Sequence, residues 1–302
     1  MNKKIKSSLM LLLTAFIWGT GFVAQKTGME HIDPFTFNAA RSIFACATLA
    51  VVIPFLDMGK PRTEKTVRGN RDLILGGISC GAVLFVASSL QQFGIMTTSA
   101  GKTGFITALY IVLVPILSRF IGRVIRPVLW LCVLLSMVGL WLLTMKGGFS
   151  IEKGDLLILI CAFFFAIHIL VIGHFSPKTD GVKMSLLQFA VCAVLCCIAS
   201  VIFESPDLSA MMTAIVPIAY AGIMSSGVAY TLQIVAQKDA DPTVACLLMS
   251  LESVFSVLVG WIILGEQLSP KELTGCAIMF VAVVLSQLPP KEQILKGRKH
   301  ND

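Results

Sequence analysis

The sequence predicts an all-α integral membrane fold, ten transmembrane helices arranged as two inverted five-helix repeats. Of its 302 residues, 56% are hydrophobic and 14% charged, with a mean hydropathy of +0.85, whereas soluble domains carry about 25% charged residues. No soluble fold hides that much apolar surface. Apolar runs of about 20 residues, long enough to cross a hydrocarbon core of about 30 Å as a helix, recur almost end to end. The first half also resembles the second: TAFIWG at 14–19 parallels CAFFFA at 161–166, and Leu90-Gln91 parallels Leu232-Gln233. Gly122-Arg123 before Pro127 parallels Gly265-Glu266 before Pro270 in the same way.

In chain order the spans read as 8–27, 35–56, 72–91, 100–120 and 127–145, then 155–173, 184–203, 213–236, 243–263 and 272–288. The first follows Lys3, Lys4 and Lys6 in the manner of a signal peptide, but without a small-residue cleavage site it reads as an uncleaved helix. Asp33-Pro34, Asp241-Pro242 and Ser269-Pro270 each set a capping side chain before a proline at the first helical position, marking three helix starts. Pro115 and Pro217 interrupt backbone bonding inside spans, and Gly76, Gly77 and Gly81 allow close packing. The chain divides into repeats 1–146 and 147–290 and a basic tail, 291–302.

Orientation follows from the connections. Of the 24 Lys and Arg, 18 fall in the loops that share a side with the N-terminus and 5 in the alternate set, with Arg41 inside a span. Basic residues stay cytoplasmic during insertion, so both termini are expected in the cytoplasm, and the protein in the cell (inner) membrane. Five is odd, so the second repeat crosses the membrane upside down relative to the first.

The same features narrow the function. The net charge of +7 is spread between apolar spans, which argues against nucleic acid as a partner. All nine cysteines lie in apolar segments, where thiols behave as small hydrophobes, so no disulfide framework, metal site or cofactor is expected. HExxH, GxSxG and P-loop patterns do not occur, and the four histidines are scattered. No repeated selectivity loop or ring of like charge marks a channel, and a scaffold or sensor would need a sizeable extramembrane region, which the short connections leave no room for. What remains is a secondary transporter of a small metabolite, amino acid or amphipathic compound, partnered by that solute and the bilayer, as a monomer or homodimer. A membrane-embedded enzyme or a non-transporting sensor or scaffold is the alternative.

Trp18-Gly19, DPFTFNAAR at 33–41, TSAGKTGFI at 98–106, GDLLILICAFFFA at 154–166 and LGEQLSPKELTG at 264–275 occur in an order and spacing that resemble the drug/metabolite transporter superfamily, specifically its EamA-like ten-helix branch. The resemblance covers nearly the whole chain. It implies a ten-helix bundle around a central cavity formed mainly by the first, third, fourth, sixth, eighth and ninth helices. Two positions depart from the family pattern: Gly122-Arg123 stands where Gly-Glu is common, and Glu252 where many relatives have proline.

Glu252 is the leading site candidate, because a charge at mid-span costs about 2.5–3.5 kcal/mol on insertion scales. It is expected to bind a cation or to take up and release a coupling proton, against the alternative of a hydrogen-bonded packing carboxyl. Arg41 is its candidate charge partner or an anion anchor, unless it snorkels to the surface. Lys102, at the start of the fourth span, is expected at the interface. His168 has the chemistry of a proton relay, or of a neutral imidazole bonded to a neighbouring carbonyl. Gln91 and Gln233 recur at matching places in the two halves, and with Tyr110 and Tyr230 supply the polar groups of an orienting pocket. Each of these amides and hydroxyls has interhelical bonding as its plainer role. Trp18 is expected as a cavity wall or an aromatic anchor. Gln92 belongs to the same amide group, and Glu266 is expected to cap its turn.

Overall fold

Hydrocarbon offers no hydrogen-bond partners, so each apolar run satisfies its own backbone as a helix. In the computed structural model, which describes residues 3–57, 67–98, 100–144, 153–264 and 269–288, all regular secondary structure among the described residues is helical. Glu266, the 291–302 tail and the middle of the 57–71 loop lie outside those residues.

The helices are α1 (Lys3–Gly28), α2 (Pro34–Asp57), α3 (Val67–Thr97), α4 (Ala100–Thr107), α5 (Tyr110–Phe120), α6 (Pro127–Thr144), α7 (Lys153–Phe175) and α8 (Gly181–Phe203). After the short α9 (Leu208–Thr213) comes one continuous rod made of α10 (Ile215–Ala219), a π-helix (Tyr220–Tyr230) and α11 (Thr231–Ala236). Then follow α12 (Pro242–Met249), α13 (Glu252–Leu264) and α14 (Pro270–Gln287). Among the described residues, eight helical stretches are long and apolar enough to cross a membrane, and α6 is a shorter apolar helix.

Three spans differ from the sequence reading. The third continues to Thr97 instead of stopping at 91, because Gln91 and Gln92 are buried inside the bundle and do not mark its surface. The fourth and ninth are each broken: α4 passes into α5 at Ala108-Leu109, and α12 into α13 at Ser250-Leu251, where the backbone tightens to bonds such as Ile111 N to Ala108 O and Ser253 N to Ser250 O.

Asp241 accepts from Thr243 N at 2.8 Å, and Ser269 and Glu272 form a reciprocal capping box, as their sequence positions anticipate. At the start of α2 the first-turn donors meet a remote carboxylate instead of a local cap. Glu204, just after α8, accepts from Phe35 N and Thr36 N, both at 2.8 Å, and from the Thr36 hydroxyl at 2.7 Å. Glu204→Ala is therefore expected to lower stability by about 1.5–3 kcal/mol, the usual contribution of bonds to a charged group, measured as a drop in the thermal midpoint of the detergent-solubilised protein.

The bonds between helix ends define two ends of the bundle. At the end where α1 begins and α14 finishes, Arg126 donates to Leu288 O and Ser286 O, Ser8 to Gln287, and Lys183 pairs with Asp57 at 2.6 Å. At the opposite end, Lys26 donates to the carbonyls of Ile95, Met96 and Thr98, while Lys102 pairs with Asp155 at 2.5 Å. Lys102 thus sits at a helix end in an ion pair.

The helices pack in matched pairs. Helix α3 lies against α7 and α8, while the π-helix rod lies against α1 and α2. Helices α4 and α5 lie against α7, while α12 and α13 lie against α1. Helix α2 packs on α8, and α6 on α14. Close approach needs small residues at the crossings: a Cβ on Gly81 would fall 2.6 Å from Gln188 O, so α3 meets α8 backbone to backbone.

Candidate functional site

Residues spaced i, i+4 and i+7 share one helix face, and on α1 that spacing aligns Trp18, Phe22 and Gln25. All three line a partly open cavity of about 40 Å³, enough to hold water. Arg41 of α2, Gln91 of α3, Thr107 of α4, Tyr110 of α5, Phe165 of α7, Ser225 and Tyr230 of the π-helix, and Glu252 of α13 complete its wall. The cavity thus gathers six of the residues singled out from the sequence: Trp18, Arg41, Gln91, Tyr110, Tyr230 and Glu252.

Glu252 opens α13 and Tyr110 opens α5, so the two broken helices deliver them to the same place. Glu252 is 2% exposed, and its Oε1 accepts from the Tyr110 hydroxyl at 3.2 Å. Arg41, 4% exposed, donates from Nη1 to Gln25 Oε1 at 3.4 Å. Among the described residues neither charge forms an ion pair. An arginine carries five N–H donors, so most of its bonding capacity stays uncommitted beside this cavity. Gln91 Nε2 donates to Thr107 Oγ1 at 3.1 Å, which leaves its carbonyl oxygen as a further acceptor.

The wall between these polar groups is aromatic. The Trp18 ring lies 4.7 Å from that of Tyr230, and its Nε1 donates to Ser225 O at 3.3 Å. A carbonyl in a π-helix lies out of the α-helical register, and Ser225 O uses its position to anchor the indole. Behind the aromatic pair, Thr20 and Tyr220 share a hydroxyl contact that ties α1 to the same π-helix.

His168 and Gln233 stand outside the cavity lining. His168 is fully buried, with Nε2 bonded to Gln188 Oε1 at 3.0 Å and its ring edge-on to Tyr230 at 5.9 Å. Gln233 is 1% exposed, and its Oε1 has no bonding partner. Gln92 is fully buried with both amide atoms unpartnered.

Phe22, Gln25, Thr107, Phe165 and Ser225 line the cavity without having been singled out. Two of them had a signal: Phe165 occupies in CAFFFA the place of Trp18 in TAFIWG, and Gln25 extends the Trp18 face by two turns.

The EamA-like transporter family model matches the chain twice, over residues 5–145 and 152–288. An uncharacterized transporter of Archaeoglobus fulgidus is 31% identical over 290 residues, spanning 95% of this chain and 87% of the relative. A WAT1-related chloroplastic protein of Arabidopsis thaliana is 26% identical, over 93% of this chain and 69% of the plant protein. One crystal structure superimposes with a TM-score of 0.75 at 17% identity, covering 93% of this chain and 96% of its own; it shares the fold.

Proposed function

Since the chain belongs to the EamA-like transporter family and is a multi-pass membrane protein, we propose that it is a secondary transporter that moves a small zwitterionic solute by alternating access. Arg41 and Glu252 carry this reading: two buried groups able to hold opposite charges line one cavity and are bonded to neutral groups, not to each other. A solute bearing an anionic and a cationic group satisfies both at once, the first on Arg41 and Gln25, the second on Glu252. The aromatic wall covers its apolar body. Glu252 is also the group that carries a coupling proton, since a carboxyl beside the solute exchanges one charge for another.

The architecture proposed is ten spans in two inverted five-helix repeats, in the cell membrane with both termini cytoplasmic. Its support is the double match of the family model, the exchange of packing partners between the halves, and the 18-to-5 division of basic residues between alternate loops. Discontinuous helices meeting near mid-membrane are the usual site-builders of such folds, and here α5 and α13 begin at Tyr110 and Glu252.

The test uses protein reconstituted in liposomes, a panel of amino acids, and for each transported one its amide and its deaminated acid. Zwitterions are expected to move at least about tenfold faster than either analogue, since a charge-assisted hydrogen bond contributes about 1.5–3 kcal/mol. Arg41→Gln should erase the preference over the amide and Glu252→Gln that over the acid. Absence of flux for every zwitterion, or equal flux of zwitterion and analogues, would overturn the substrate class.

A further inference from the structure

The cavity occupies one half of the bundle. Gln25 lies near the far end of α1, Arg41 about two turns from the far end of α2, and Gln91 about two turns from the far end of α3. "Far" here means away from the end where α1 begins and α14 finishes. The near half contains a different set of buried polar side chains, which the proposed site does not use. His168 of α7 and Gln188 of α8 are fully buried, and Gln233 of α11 and Gln237, which follows that helix, are each 1% exposed. Four of their polar atoms, His168 Nδ1, Gln188 Nε2, Gln233 Oε1 and Gln237 Oε1, have no bonding partner. A buried polar group without a partner costs about 1–3 kcal/mol, so these four, like the amides of Asn38 and Gln92 in the far half, need an explanation.

The repeat supplies one. TAFIWG and CAFFFA are offset by 147, as are Asp33 and Asp180, the residues just before α2 and α8. The same offset takes Arg41 to Gln188. Leu90-Gln91 and Leu232-Gln233 are offset by 142, as are Tyr110 and Glu252. So Gln91, a cavity wall, corresponds to Gln233, and Arg41, bonded across to α1, corresponds to Gln188, bonded across to α7. Because the halves are inverted, equivalents of far-half residues lie in the near half, and α8 and α11 start or end there.

We infer that Gln188, Gln233 and His168 line the second, closed half of the solute route, a near-end vestibule that opens when the far-end cavity shuts. The inference rests on the alternating-access reading above. In the opened state the unpartnered amide and imidazole atoms are wetted or contact the solute, which offsets part of the free energy of separating α7, α8 and α11. Tyr230 stands between the two halves, its ring against Trp18 on one side and against His168 on the other.

The test is labelling with a membrane-impermeant maleimide, applied to full-length protein in sealed vesicles of either orientation and counted above the level of the unsubstituted chain with its nine native cysteines. Gln233→Cys and Gln188→Cys are expected to label from the face where α1 begins and α14 finishes and not from the other; Gln91→Cys is expected to show the reverse. A minor state populated at about 0.1–10% should make near-half labelling roughly 10- to 1,000-fold slower than that of a freely exposed thiol. Modification of Gln233→Cys should also block amino-acid flux in the liposome assay.

If Gln91→Cys labels from the far face while both near-half variants stay at background from either face, the near-half layer is packing and the inference is overturned, with the transporter reading intact. If all three stay at background in folded, monodisperse protein, both fail. Labelling of Gln233→Cys from the far face alone would overturn the vestibule and place Gln233 in the existing cavity.

Discussion

Glu252→Gln is expected to lower solute flux by roughly 10- to 100-fold without unfolding the protein. The amide keeps the shape of the carboxyl and an oxygen that can accept from the Tyr110 hydroxyl, now at 3.2 Å. What disappears is the capacity to carry a negative charge, and with it the proposed partner of the solute's cationic group. A hydrogen bond to a charged group contributes about 1.5–3 kcal/mol, and each 1.4 kcal/mol is a factor of ten in affinity or rate. Initial flux and thermal midpoint, measured side by side, separate the site from the scaffold. An imposed pH gradient should drive uphill flux in the parent and not in the variant. Flux within twofold of the parent would remove Glu252 from the mechanism.

The second large effect is expected at Gly19→Leu, one residue from the cavity wall. A Cβ on Gly19 would lie 2.6 Å from the backbone oxygen of Glu252, 2.9 Å from Phe255 Cβ and 2.9 Å from Ser256 N. Two of those atoms are backbone at the first turns of α13, so no rotamer change makes room and α1 must retreat from α13. Overpacking of this kind costs about 1–3 kcal/mol. The retreat also carries Trp18 away from Ser225 O and Tyr230, which should weaken solute binding on top of the lost stability. Measured thermal unfolding and flux should both fall, and Gly19→Ala should show the same sign at smaller size. A leucine variant that melts with the parent would mean that α1 can pack farther from α13 without consequence.

The parts of this molecule legible in its sequence are those where a residue conflicts with its surroundings. Glu252 and Arg41 stand out because charges are rare and costly in apolar spans, and Gln91 and Gln233 because they recur at one offset. Thr107 carries no such signal because a lone hydroxyl inside a span can bond its own helix, and Gln25 because a polar residue near a span end looks like the start of solvent. The same assumption cut the third span at 91, although Gln91 and Gln92 are inside. The breaks at Ala108-Leu109 and Ser250-Leu251 have no local signal. Neither contains glycine or proline, and alanine and leucine are strong helix formers, so the interruption comes from packing. The π-helix is likewise silent in YAGIMSSGVAY, since glycine and serine are common in any transmembrane helix. The remote Glu204 cap on α2 joins residues 168 and 169 positions apart, a distance over which periodicity carries no information.

Tyr110 and Glu252, 142 residues apart, donate and accept a single hydrogen bond, and each falls in a different one of the two segments matched by the family model. Had the bundle been assembled from two copies of one half-length chain, a residue on the axis between them would face itself. Two carboxylates there would repel, and two phenols would leave no anion to hold a cation. Carrying both copies on one chain frees each to mutate alone, so a duplicated ancestor could split a shared position into a donor and an acceptor. The polarity of this pocket then depends on two unlike halves, and two separately expressed half-length chains should rebuild it only as the mixed pair.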